Sequence, residues 1–408
     1  MRSAVTPTGY RSEPRRADLD WLRVLGMLAV FLVHAAEPFN PWDTWHVQSA
    51  LRSKWLGELV FFPAPWIMPL FMALAGEAAW LALRHRSPAR YARERLLRLG
   101  LPLALGILVL VPPQVWVERR LQGRFDGSLL AFYPHFFEGI YPEGNFAWHN
   151  LWFLVFLLAF SLATAPLLAA LRRPAGRRLL ARLAAPCQGP AGLAWLVLPA
   201  VAIRIATATA APRFAPLAYD WSNRGLLLPA FLWGFAVAAE PGFAAALDRH
   251  WRLALVVAAA VSVGLCAWAW PGDVLARLPA ARSAGGVLLW GGYGGASWCW
   301  LVALLGGARR CLARDDGEAL QRASALVYPF YVLHHGVIVG LAAAMVQRGA
   351  DSAGLPVAFL GLAAASLAIS LGLCWWVAAW EPLRVVFGLR SRRRAAVRGT
   401  IPLARDEL

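Results

Sequence analysis

Long apolar stretches recur along the chain with little polar sequence between them. Ten suit the roughly 17–25 residues that a membrane-crossing helix needs. They lie at 20–37, 58–83, 96–115, 150–171, 190–210, 224–242, 251–270, 285–306, 325–346 and 355–379. The Gly-rich eighth (GGVLLWGGYGGASWCW) and the short sixth are the least regular. This pattern predicts an all-α integral membrane protein with about ten transmembrane helices. Neither a long polar insertion nor an internal repeat interrupts it. One polytopic membrane domain is therefore expected over 20–379, between tails at 1–19 and 380–408.

The first stretch, DWLRVLGMLAVFLVH, breaks the apolar rule in a regular way. A helix turns about 100° per residue, so the eleven steps from Arg23 to His34 end about 20° past three full turns. Asp20 falls about 40° from the same line. The three form one stripe, with His34 roughly 16 Å deeper than Arg23 at about 1.5 Å per residue. Ionisable groups inside a span are costly and usually line a cavity or pathway. A signal peptide is the other reading of an early apolar run. No small-residue cleavage site follows, however, and HAAEPFNPW reads as a loop. The stretch is expected to be a retained first span.

Composition agrees, with 59% apolar and 15% charged residues and a mean hydropathy of +0.52. A net charge of +17 invites a nucleic-acid partner. The arginines instead cluster in short loops between the stretches, so the expected surroundings are the lipid bilayer and no nucleic acid. Basic residues favour one set of loops over the other by about three to one, which predicts both termini in the cytoplasm of a bacterial inner membrane. Under that orientation the closing RDEL, which resembles a lumenal retention signal, is chance. The five cysteines show no CxxC pairing and are expected as buried free thiols, with no metal site.

Three groups of residues could carry chemistry. His34 suits a base because an imidazole titrates near working pH, with Glu37 one turn on to orient it; an interhelical hydrogen bond is its plainer role. Arg95 and Arg98, spaced i and i+3, continue a basic loop into the third span. Their guanidinium forks suit a pyrophosphate such as that of coenzyme A. In ALVYPFYVLHHGVIVGL, Tyr328, Tyr331 and His335 share one face and His334 lies one step round. Between the third and fourth stretches, residues 116–149 mix aromatics with Glu118, Asp126, Glu138, Glu143, His135 and His149. Such a loop suits carbohydrate contact or an interfacial aromatic belt.

Arg23 and His34, in an R-x10-H arrangement, resemble the signature of the membrane acyltransferase 3 family. WIMPLFMALAG (66–76), RERLLRLGLP (93–102), HNLWFLVFLL (149–158), YPFYVLHH (328–335) and EPLR (381–384) follow in that family's order. LDWLRVLGMLAVFLVHAAEPF resembles its glucan-modifying branch in particular, which includes a periplasmic glucan succinyltransferase. Ala75 stands where a serine is common, and Asn150 separates His149 from LWFL. The resemblance implies an O-acyltransferase that moves an acyl group, acetyl or succinyl, from cytosolic acyl-CoA to a hydroxyl of a carbohydrate or other envelope acceptor. No tightly bound cofactor is implied. His34, Arg23, His334 and His335 are then expected in catalysis, Arg95 and Arg98 on CoA, and Tyr331, His149 and Trp152 on the acceptor. The rival reading is a secondary transporter or an export partner of a glycan pathway, without covalent chemistry.

Overall fold

The structure, a computed structural model, describes residues 16–42, 44–210, 225–272, 277–314 and 317–389. Residues 1–15 of the tail predicted at 1–19, and residues 390–408 of the tail predicted at 380–408 with its RDEL, lie outside them. Among the described residues every extended element is a helix, and the only β pairing is an isolated bridge between Ile140 and Phe146.

Among the described residues seven helices are long and apolar enough to cross a membrane, or up to nine if each of two bent pairs is one span. In chain order they begin with α1 (Ala17–Ala36), α2 (Ile67–Arg84) and α3 (Pro88–Leu121). The first bent pair is α4 (Trp152–Ala163) with α5 (Ala165–Leu171), and the second is α6 (Pro174–Ala184) with α7 (Gly192–Ala210). After α8 (Leu227–Ala239), a shorter apolar helix outside that count, come α9 (Pro241–Ala269), α10 (Ala284–Cys311), α11 (Glu318–Gln347) and α12 (Leu355–Ala379). A short α13 (Glu381–Val386) closes the described chain.

The expected count of about ten is thus reduced. The predicted sixth span is α8, whose 13 residues extend only about 20 Å, short of a hydrocarbon core of about 30 Å. The two bends follow from proline. Pro166 has no N–H to continue the ladder, and the chain turns by 53° there. Pro186, Gly189 and Pro190 separate α6 from α7, which meet at 113°. The third span outruns its predicted end at 115, so Glu118 stands on a helix and not in a loop. Two π turns, Leu96–Gly100 and Gly106–Leu110, relax α3 just before Pro102 and Pro112.

Helix α1 packs chiefly on α11, with α10, α2 and α12 around it. Against α2 lies α8, so close that a Cβ at Gly76 would collide with the Phe231 carbonyl and one at Gly234 with the Ala73 carbonyl. Backbone cannot yield as a side chain can, and overpacking typically costs about 1–3 kcal/mol. Gly76→Ala and Gly234→Ala should each lower the Tm of the detergent-solubilised protein by several degrees; an unchanged Tm would show that the helices can part freely. Leu253, Val256 and Val263 of α9, Leu288 of α10 and Val357 and Leu360 of α12 stay exposed, as the lipid-facing side of a membrane bundle should.

Candidate active site

The last turn of α1 delivers His34 to the middle of α11, where both neighbouring histidines meet it. His34 Nδ1 lies 3.0 Å from His334 Nε2. His334 folds its other nitrogen back on its own helix, 3.0 Å from the Phe330 carbonyl and 2.9 Å from that of Tyr331. Carbonyls only accept, so His334 Nδ1 must carry the hydrogen, and neutral His334 presents Nε2 as a lone pair. His34 Nδ1–H then donates to it, which leaves the lone pair of His34 on Nε2. His334 is fully buried, whereas His34 is only half-buried. The imidazole with the spare nitrogen is the more accessible one.

His335 does not turn away. Its ring stands edge-on to His34 with centroids 4.8 Å apart, and its Nδ1 is 2.7 Å from Gln114 Oε1. Gln114 Nε2 donates to the Leu110 carbonyl at 2.7 Å, which fixes the amide so that His335 Nδ1–H is the donor. Beyond His335 the cluster continues to His46 at 5.4 Å, and from there to His149 at 4.3 Å. His46 Nδ1 is 2.5 Å from Glu118 Oε2. The buried Glu118 carboxylate also accepts from Gln122 Nε2 at 3.1 Å, the Tyr141 hydroxyl at 3.3 Å and Arg119 Nη1 at 3.4 Å. Arg119 in turn donates to Asn145 Oδ1, the Pro142 carbonyl and the Gly144 carbonyl, pinning that loop beside the cluster. Five of the eight histidines thus form one continuous group.

Several expected site residues are held elsewhere. Arg23 donates to Asp20 Oδ1 at 2.9 Å, and the same oxygen accepts from Ser324 at 2.7 Å, so this end of the stripe anchors α1 to α11. Arg95 stacks 5.1 Å over Tyr91, and Arg98 donates to the Gly388 carbonyl at 3.3 Å. The Tyr331 hydroxyl donates to the Asn150 carbonyl while Asn150 Nδ2 donates to the Tyr331 carbonyl at 3.1 Å. That reciprocal pair locks α11 to the turn before α4. The ring of Trp152 packs on Phe153 and Phe156 of its own helix. Glu37 accepts from Asn40, so the partner of His34 is His334 and not the next-turn carboxylate. His149 does join the cluster. Its φ of 36° lies in the left-handed region that non-glycine residues rarely adopt, and its buried Nε2 has no hydrogen-bond partner among the described residues.

His46, Gln114 and Arg119 were not foreseeable as site residues. Glu118 was visible only as one carboxylate among several in residues 116–149. The one local signal is that Gln114 and Glu118 are four apart, on one helix face, directly after a double proline.

The fold and the site define a multi-pass membrane protein with an imidazole cluster buried between its first, third and penultimate long helices. The chain belongs to the acyltransferase 3 family, whose model, described as an acyltransferase domain, matches residues 16–378. It is similar to the glucans biosynthesis protein C of Escherichia coli O6:K15:H31 (strain 536 / UPEC), being 25% identical over 146 residues, 35% of this chain and 34% of that protein. The protein of the same name from E. coli K12 matches with the same identity and coverage. The match thus spans 34% of the length of these curated relatives. No solved structure matches the chain.

Proposed function

We propose that this protein is a membrane O-acyltransferase of the bacterial inner membrane, with both termini cytoplasmic. It takes an acyl group from cytosolic acyl-CoA and transfers it to a hydroxyl of a carbohydrate or other envelope acceptor. The observation that carries the reading is the His34–His334 hydrogen bond. It leaves His34 Nε2 as an accessible lone pair inside an apolar bundle, available as base or nucleophile at the transfer step. Arg23, Arg95 and Arg98 would serve the CoA phosphates at the N-terminal side of α1. The exposure of Arg98 supports this, because an exposed side chain can be reached by a soluble donor. Of the three residues expected on the acceptor, His149 is the best placed, since its Nε2 has no hydrogen-bond partner among the described residues; Tyr331 and Trp152 would shape the site by packing.

The test is purified protein in nanodiscs with labelled acetyl-CoA or succinyl-CoA and a glucan oligosaccharide. Thiol release that depends on the glycan, with label recovered in the glycan, supports transfer. Passage of unmodified glycan without thiol release would favour a transporter. A charge-assisted hydrogen bond is worth about 1.5–3 kcal/mol, so Arg95→Ala and Arg98→Ala should each raise the donor KM about tenfold or more while expression holds. Equal KM in both variants would remove the arginines from the donor site.

A further inference from the structure

The cluster holds two imidazoles with different backing. His34 leans on a neutral imidazole, His334 Nε2, at 3.0 Å. His46 leans on a carboxylate, Glu118 Oε2, at 2.5 Å. His335 stands between them, edge-on to both rings. The groups facing His46 are Glu118, Trp45, Tyr141, His149 and His335, with Arg119 behind the carboxylate. A single base would need only one of these arrangements. Each backing suits a different half of an acyl transfer. A nucleophilic imidazole acylated on Nε2 must shed its Nδ1 proton, and the His334 lone pair is in hydrogen-bond contact with that proton. A base becomes a cation when it takes a proton, and Glu118 offers that cation a fixed negative charge, as a carboxylate does behind a catalytic histidine.

Building on the function proposed above, we infer that the two divide the reaction: His34 carries the acyl group, and His46, oriented by Glu118, is a second catalytic base that takes the proton of the acceptor hydroxyl. In the first half, His34 Nε2 attacks the thioester carbon, the C–N bond forms, the C–S bond breaks and the CoA thiolate leaves. The His34 Nδ1 proton passes to His334. In the second half, the acceptor oxygen attacks the acyl carbon while its proton goes to His46 Nε2. The C–O bond forms, the C–N bond breaks, and His34 recovers its Nδ1 proton from His334. The proton on His46 returns to water, which also protonates the thiolate. Glu118 is a positioning residue, because it acts through His46.

The scheme separates donor chemistry from acceptor chemistry, and exchange of labelled CoA into acyl-CoA without acceptor reads the first half alone. In nanodiscs the wild-type protein should catalyse this exchange. Glu118→Gln should retain exchange within a few-fold while transfer to a glucan oligosaccharide falls by about 10²-fold or more. His46→Gln should behave alike, and His34→Ala should lose both. Retained exchange also certifies that the variants fold. The inference is overturned if wild-type protein transfers acyl groups without exchange, if Glu118→Gln and His46→Gln lose exchange and transfer equally, or if they lose neither. Absence of any acyl transfer by the wild type would instead sink the proposed function itself.

Discussion

His34→Ala should abolish nearly all acyl transfer, by about 10²–10⁴-fold, while the protein still inserts, purifies and binds the donor. The side chain is half-buried and its one hydrogen bond among the described residues is to His334, so among those residues truncation leaves only His334 Nε2 without a partner. His334 keeps both backbone carbonyls on Nδ1. The fold therefore has little to lose, and the reaction loses its only accessible spare imidazole nitrogen on α1. The measurement is the transfer rate under saturating acyl-CoA, alongside Tm and size-exclusion profile. A wild-type rate in well-folded His34→Ala would remove this residue from the chemistry, and a collapse in Tm would recast it as a packing residue.

The second large effect is expected from a residue that never needs to touch substrate. His334→Phe keeps an aromatic ring where His334 stacks on Phe330, with centroids 5.5 Å apart. What it removes is the acceptor of the His34 Nδ1 hydrogen. Without it His34 has no reason to hold its hydrogen on Nδ1, and tautomers with Nε2 protonated become populated. Loss of tautomer control in comparable hydrogen-bonded histidines is severe, of order 10²–10⁴-fold in turnover. The expected outcome is a fall of at least about 10²-fold in kcat with an unchanged donor KM. A change confined to KM would mean that His334 shapes the donor site and does not control His34.

The parts of this site that were legible in the sequence are those written along single helices. Arg23 and His34 share a stripe because eleven residues nearly complete three turns. Tyr331, His334 and His335 are visible as polar residues in an apolar run. Their partners were not legible, because they come from distant sequence: His334 lies 300 positions from His34, Gln114 lies 221 from His335, and Glu118 lies 72 from His46. Helical periodicity alone does not tell how His334 and His335 share the site. Adjacent residues point about 100° apart, which favours one facing the site. Imidazoles are long enough that both reach His34, one through a hydrogen bond and one edge-on. Among the spans, hydropathy located the apolar mass well but could not weigh proline. Pro166 breaks an apolar stretch that reads as continuous, and α8 is apolar throughout yet too short to cross unaided.

The packing of α2 on α8 gives a physical meaning to one recognisable motif. In ALAG the glycine, Gly76, admits the Phe231 carbonyl, and Gly234 returns the favour to Ala73. The neighbouring Ala75 is the position that departs from the usual serine, and the close approach does not depend on it. At the other end, Asn150 interrupts the usual histidine–leucine run. Its side chain and carbonyl form the reciprocal bond with Tyr331 that holds the His149 turn against α11.

Covalent transfer at the imidazole cluster can be read in a single experiment. Nanodisc-embedded protein is given acyl-CoA labelled in the acyl group, with and without a glucan oligosaccharide, and mass spectrometry follows the glycan while free thiol is counted. Thiol release should be matched one for one by ester-linked label on the glycan, and both should be lost in His34→Ala. Glycan that stays unmodified across acetyl and succinyl donors, with no thiol released, would contradict covalent transfer.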